Sequence, residues 1–258
     1  MKSISIKSLK LGFFDTVLHE ATAAAVLRVL EAHDIFDIEF ITGEKAALIQ
    51  ELKAGEIDIF TTLWLPDVHN SLINDFPLMK SIGTLYHPTL FFALPVQFQS
   101  EISSIDHLKS VDSIHRNVEV PATLYEKVQE IFVAYGLLES GYSLIPVADE
   151  AAFKRYQQIL QSQEGKIIIG YHPSFLDDDQ RLYSLQDPKA MVNSEQRATI
   201  LIRDRIVSVL GSDLIDELAE MTLGNQVVKL MEHAVRVNGM DAHEAAEEWQ
   251  RGKLVVRA

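Results

Sequence analysis

Strand and helix signals alternate from Lys10 to Thr62 with crossovers long enough to be helices, and this pattern restricts the chain to an α/β fold. The spacing predicts a strand over Lys10 to Phe14 and a helix over Glu20 to Ala32 with Ala24, Val26, Leu27 and Leu30 on one side. A second strand follows over Ile35 to Thr42, then a helix from Lys45 to Ala54 closed by Gly55, then a third strand over Ile57 to Thr62. Helix-sized crossovers join parallel strands and gather the loops at one rim. Pro66 forbids further ladder pairing, so Trp64 is expected in the turn beyond the third strand, where open α/β sheets bind ligands.

Thr89 to Pro95 reads as a buried strand, after which the pattern restarts as though a second sheet began. Leu124 to Tyr135 is predicted helical, Tyr142 to Val147 a strand, Asp149 to Ser162 a helix and Lys166 to Gly170 a buried strand. That last strand runs into Tyr171-His172-Pro173-Ser174-Phe175, which repeats the layout of Trp64-Leu65-Pro66: strand, aromatic, proline. Two aromatic turns at two rims predict two lobes. The first is expected over residues 1–95 and again over 196–258, the second over 96–195, joined by hinge strands near Pro95 and Asn193. Beyond Ala198 to Ile202, a strand, three helices are predicted: Ser212 to Leu223, Asn225 to Asn238, and Asp241 to Gln250, the last with Asp241 at the cap and Glu244 three residues on.

A formal charge of -14 argues against nucleic acid or an anionic membrane surface as partner, since both need basic patches, and favours a cationic or zwitterionic ligand. The absence of cysteine removes disulfides, thiol catalysis and Cys-type zinc sites. No apolar run is long enough to span a bilayer, and the amino end lacks a signal-peptide core, so an exported protein would need a leader outside this chain. His69, His87 and His172 are too far apart for a metal-ligand spacing. No P-loop, Gly-x-Ser-x-Gly, His-Glu-x-x-His or Gly-x-Gly-x-x-Gly is present, and the acids Asp15, Asp67 and Asp177 to Asp179 form no recognisable catalytic pair.

The Trp64-Leu65-Pro66-x-x-His69 turn, preceded by Gly55-Glu56-Ile57-Asp58-Ile59-Phe60, resembles that of the glycine betaine and choline substrate-binding proteins of ABC importers. Leu185-Gln186-Asp187-Pro188-Lys189 with Glu195-Gln196-Arg197, and Ala245-Ala246-x-x-Trp249, are similar to later motifs of the same family, in the same order. The resemblance implies a two-lobed type II periplasmic-binding-protein fold, each lobe a mainly parallel sheet flanked by helices. It also implies capture of a quaternary amine in an aromatic cage by hinge closure. A membrane permease as partner, a monomeric receptor with no cofactor or metal, and a periplasmic or membrane-anchored location go with it. Two departures stand out: the family's Gly-Trp-x-Pro-His-Trp is here Gly170-Tyr171-His172-Pro173-Ser174-Phe175, and a glycine-rich loop is replaced by Val120-Pro121-Ala122-Thr123.

A quaternary ammonium has charge but no N–H, so a protein holds it with π faces. Trp64 and Tyr171 are the first candidates for such faces, with Phe13, Phe175 and Tyr86 as further walls. Gly12-Phe13-Phe14-Asp15 is similar to a segment of choline-binding members, which makes Asp15 either a partner of the cation or a helix N-cap. His69 is expected to brace the Trp64 loop and His172 to donate to an anionic ligand tail. Another small amine or zwitterion, an enzyme on the same fold, and a sensor domain of a longer regulator are the competing readings.

Overall fold

The hexapeptide Leu-Lys-Leu-Gly-Phe-Phe forms β1 (Leu9–Phe14), and apolar residues on both of its faces are buried because it lies inside a sheet with helices packed against it. The computed structural model describes residues 8–35, 37–69, 76, 78–177, 179–192 and 194–254. The chain divides into two units: residues 1–88 with 196–258, and residues 89–195.

The first unit holds a five-stranded sheet in the order β2-β1-β3-β10-β4, made of β1, β2 (Ile38–Gly43), β3 (Ile59–Leu65), β4 (Met79–Tyr86) and β10 (Arg197–Arg203). β1 pairs in parallel with β2 and β3, and the helices α1 (Val17–Ala32) and α2 (Lys45–Ala54) are the crossovers. Gly55 ends α2 in the left-handed conformation (φ 79°), which glycine adopts without a Cβ clash. Four further helices follow β10: α5 (Asp204–Leu210), α6 (Ser212–Glu220), α7 (Gly224–Arg236) and α8 (Ala242–Gln250). Ala245 and Ala246 are fully buried where α8 packs on α1, and Asp241 caps α8 by accepting the His243 N–H at 2.8 Å. At Gly83 (φ 64°) β4 runs so close to α6 that an added Cβ would stand 2.8 Å from the Leu218 carbonyl oxygen.

The second unit contains β5 (Thr89–Pro95), β8 (Ile168–His172) and β9 (Leu182–Ser184) in the order β8-β5-β9. A separate parallel pair comprises β6 (Asn117–Pro121) and β7 (Ser143–Val147), with α3 (Tyr125–Ala134) and α4 (Asp149–Ser162) packed beside them. The Asp187-Pro188-Lys189 motif is structural here. Asp187 accepts the Tyr135 hydroxyl and, at 2.6 Å, the Val192 N–H, and the Lys189 ammonium lies 4.8 Å above the Tyr135 ring.

Several sequence expectations change. The main sheets are not mainly parallel: the first is mixed, with β10 antiparallel to β3 and β4, and the second is antiparallel, with β5 opposed to β8 and β9. The division between units falls at Pro88–Thr89 and not after Pro95, because β5 pairs wholly within the second unit. The expected hinge residue Asn193 lies outside the described residues. Helix α5 and strands β4, β6 and β9 went unread, and β3 and β8 each run further than predicted, so that Trp64, Tyr171 and His172 belong to strands and not to turns.

Candidate functional site

Thr62 stands at φ 63°, a left-handed angle that costs a β-branched residue about 1–3 kcal/mol. This kink coincides with a break in the β3–β10 register between Thr199 and Leu201, after which pairing resumes at Leu63, Trp64 and Leu65. Ala198 of β10 is the Cα partner of Trp64 on one side and of Tyr86 on the other. Its small side chain lets the two large ones meet across it, and the Trp64 indole Nε1–H donates to the Tyr86 hydroxyl at 3.0 Å. Tyr86 is fully buried, and burial holds its phenol well above the usual tyrosine range, so the group is a neutral hydroxyl. Trp64 itself is 1% exposed.

Two histidines complete this cluster. His19 stacks on the indole with ring centroids 5.7 Å apart, and His69 lies tilted beside it at 5.9 Å. Phe14 contacts both imidazoles, at 5.2 Å and 5.0 Å. The Trp64 N–H donates to His69 Nδ1 at 2.9 Å and the His69 N–H returns to the Trp64 carbonyl at 2.9 Å, so His69 braces the turn. An accepting Nδ1 places the remaining proton on Nε2 and makes the ring neutral. Burial, with smaller effects from the Lys45 and His19 charges, holds His69 well below the usual histidine range.

Burial also pushes His19 down to about 3, opposed in part by the Thr62 backbone. In the unfolded chain both imidazoles titrate near their ordinary value, so as pH falls the unfolded state takes up protons first. The stability that goes with keeping these rings neutral is therefore present above about pH 6.5 and is lost as pH falls toward the folded values. We expect His19 alone to remove about 2 kcal/mol of folding stability between pH 7.5 and pH 5. Urea unfolding at the two pH values measures this, and a His19→Gln protein with the same pH slope as wild type would contradict it.

Phe13 is placed elsewhere. Successive residues of a strand face opposite sides, so Phe13 points away from the Phe14 cluster and packs edge-on against Phe40 at 5.2 Å. Asp15 is exposed and is not the helix cap. Thr16 caps α1 by accepting the His19 N–H at 3.2 Å, which removes the structural alternative weighed for Asp15.

In the second unit, Tyr171 and Phe175 both set their rings edge-on to Phe153, at 5.6 Å and 6.0 Å, with Tyr171 buried and Phe175 half-buried. His172 packs against Phe91 at 4.7 Å and places Nδ1 2.7 Å from an Asp177 carboxylate oxygen. The same carboxylate accepts the Ser174 N–H at 3.1 Å and its hydroxyl at 3.2 Å, so Asp177 folds the turn around itself and fixes the imidazole. A carboxylate only accepts, so Nδ1 carries a proton. His172 Nε2 therefore accepts when the ring is neutral and donates only when it is protonated. The His172 side chain is 41% exposed. In place of a glycine-rich loop, Thr123 in the short helical turn after β6 is held by Asp149, which accepts its N–H at 3.1 Å and its hydroxyl at 2.6 Å.

Each unit thus presents a strand whose penultimate residue is aromatic and which runs into a proline turn, Trp64-Leu65-Pro66 in one and Tyr171-His172-Pro173 in the other, with a cis peptide before each proline. Phe14, His19, Phe91 and Phe153 were not singled out from sequence. The Thr16-x-x-His19 spacing, with a capping threonine three residues before the histidine, is the one local signal that marks any of them.

Two α/β units with matched aromatic turns define a solute-binding receptor of the periplasmic-binding-protein class. The profile of the OpuAC family, described as the substrate-binding domain of ABC-type glycine betaine transport systems, matches residues 7–251, and the chain belongs to that family. Its members are binding components of transport systems and not enzymes. Among solved structures, lactococcal OpuAC in its closed form complexed with glycine betaine is similar at a TM-score of 0.82 and 15% identity, covering 96% of each chain. The glycine betaine/L-proline-binding protein ProX from Borrelia burgdorferi is similar at 0.81 and 17% identity, covering 97% of each. An ABC-transporter choline-binding protein in complex with choline is similar at 0.79 and 13% identity, covering 94% of this chain and 88% of that one. These likenesses establish the type II two-lobed fold. No curated protein sequence matches the chain.

Proposed function

We propose that this chain is the receptor of an ABC importer that captures a small quaternary ammonium compound of the choline or betaine type. The observation that carries the reading is membership of the OpuAC family over residues 7–251. The candidate rings beside the two proline turns are Trp64, Tyr171 and Phe175, the first two buried and Phe175 half-buried. Each desolvated face contributes on the order of 0.5–2 kcal/mol to holding a cation without N–H groups. Tyr86 and His69 hold the indole and do not touch the ligand. The ligand-bound form is what a membrane permease reads. The receptor acts as a monomer outside the cytoplasmic membrane, free or anchored. Among the described residues no helix is long and apolar enough to cross a membrane.

Two groups favour choline over betaine. Asp15 is an exposed carboxylate beside β1, and His172 offers a lone pair when its ring is neutral. Both suit a cation that bears an alcohol, and both oppose a ligand carboxylate. A thermal-shift panel of choline, betaines, carnitine, amino acids and sulfonates tests the reading, since a ligand stabilises the folded state by RT ln(1 + [L]/Kd). Asp15→Asn is expected to weaken choline more than betaine. Equal losses would take Asp15 out of the site, and no shift with any quaternary amine would refute the receptor assignment.

A further inference from the structure

The chain leaves the first unit after Pro88 and re-enters it at Gln196, and the residues at these two points are tied together inside that unit. His87 Nδ1 lies 3.2 Å from the Gln196 carbonyl oxygen, to which its N–H donates. Asn225, at the start of α7, accepts the His87 N–H on Oδ1 and donates from Nδ2 to the His87 carbonyl, both at 2.9 Å. Gln196 is 1% exposed and turns its side chain to the Trp64 turn. There Oε1 accepts the Asp67 N–H at 3.0 Å and the Val68 N–H at 3.3 Å. One residue therefore bonds through its backbone to the outgoing crossover and through its side chain to the turn that follows Trp64.

We propose that Gln196 is a positioning residue that joins the Trp64 turn to both crossover segments, so that ligand contact at the turn and the setting of the crossovers are one event. The inference rests on the receptor reading given above. Its chemistry is specific: two N–H groups converge on one oxygen, and only a side-chain carbonyl or carboxylate at this reach serves both. An apolar residue of similar length would take this acceptor from both N–H groups, of which Val68 belongs to a buried residue. The Asn225 clamp holds the other end, through both the N–H and the carbonyl of His87.

The test combines hydrogen exchange on the ligand-free protein with calorimetric titration of choline for wild type, Gln196→Leu, Gln196→Glu and Asn225→Ala. Gln196→Leu is expected to expose the Asp67, Val68 and His87 amides to exchange and to raise the Kd for choline about tenfold. Gln196→Glu keeps the acceptor oxygens and should restore both protection and affinity. Asn225 is exposed, so Asn225→Ala folds even if the leucine variant does not. It removes the Asn225 acceptor of the His87 N–H, so it should speed exchange of that amide and weaken choline. Wild-type affinity in Asn225→Ala and in a folded Gln196→Leu would overturn the proposal. If wild type binds no quaternary amine, the receptor reading fails by itself. The exchange pattern still decides the clasp, which exposure of His87 in Gln196→Leu supports and unchanged protection of His87 refutes.

Discussion

Trp64→Ala is expected to abolish any ligand-induced rise in melting temperature and also to lower the melting temperature of the free protein. The second effect follows from burial. The indole is 1% exposed, donates to Tyr86 and carries His19 on one face, so its removal leaves a cavity and an unpaired hydroxyl. Truncations of this kind cost about 3–5 kcal/mol. The lost ligand effect is of similar size: a ligand present at a thousandfold its Kd stabilises the folded state by about 4 kcal/mol. Trp64→Phe separates the two, because it keeps a π face and most of the volume but gives up the bond to Tyr86. A Trp64→Ala protein that still responded to choline like wild type would exclude the indole from the site.

Gly83→Ala is expected to be the most damaging single-methyl change in the first unit, lowering stability by about 4 kcal/mol, with overpacking and the left-handed angle both contributing. The new Cβ would sit 2.8 Å from the Leu218 carbonyl oxygen and 3.1 Å from that of Ala219, both of them backbone atoms that cannot swing aside. The glycine also holds φ 64°. Relief would require α6 to back away from β4. Chemical denaturation measures the loss, and a change below about 1 kcal/mol, the size of an ordinary surface substitution, would show that α6 yields easily.

The parts of the fold that local chemistry determines were legible in the sequence. The helix over Lys45–Ala54 with its Gly55 stop, the strand Thr89–Pro95 and the helix Asp149–Ser162 lie where spacing and punctuation placed them. What depends on distant partners was not. Trp64 was assigned to a turn because Pro66 follows it, yet β3 continues to Leu65 through its pairing with β10, a segment far along the chain. β4 mixes Lys80, Ser81, Gly83 and Thr84 without strict alternation and is a strand through its ladder with β10.

The candidate site divides in the same way. His69 bracing its own turn is a short-range matter and was anticipated, as it is observed. Phe13 and Phe14 are both buried, on opposite faces of β1, so an expectation of burial alone could not choose between them. The roles of His19, Tyr86 and Phe153 arise from which strands and helices come to lie side by side.

The order of strands bears on how the protein is made. β10 lies between β3 and β4, so an interior place in the first sheet is filled by the last strand to be synthesised among the described residues. Residues 89–195 form a unit whose strands all lie within that span, and this unit is complete before β10 leaves the ribosome. Until then β3 and β4 each present an open backbone edge, the kind of surface on which nascent chains aggregate. The vulnerable period for this polypeptide is thus a wait imposed by topology, which lasts while the inner unit is being made.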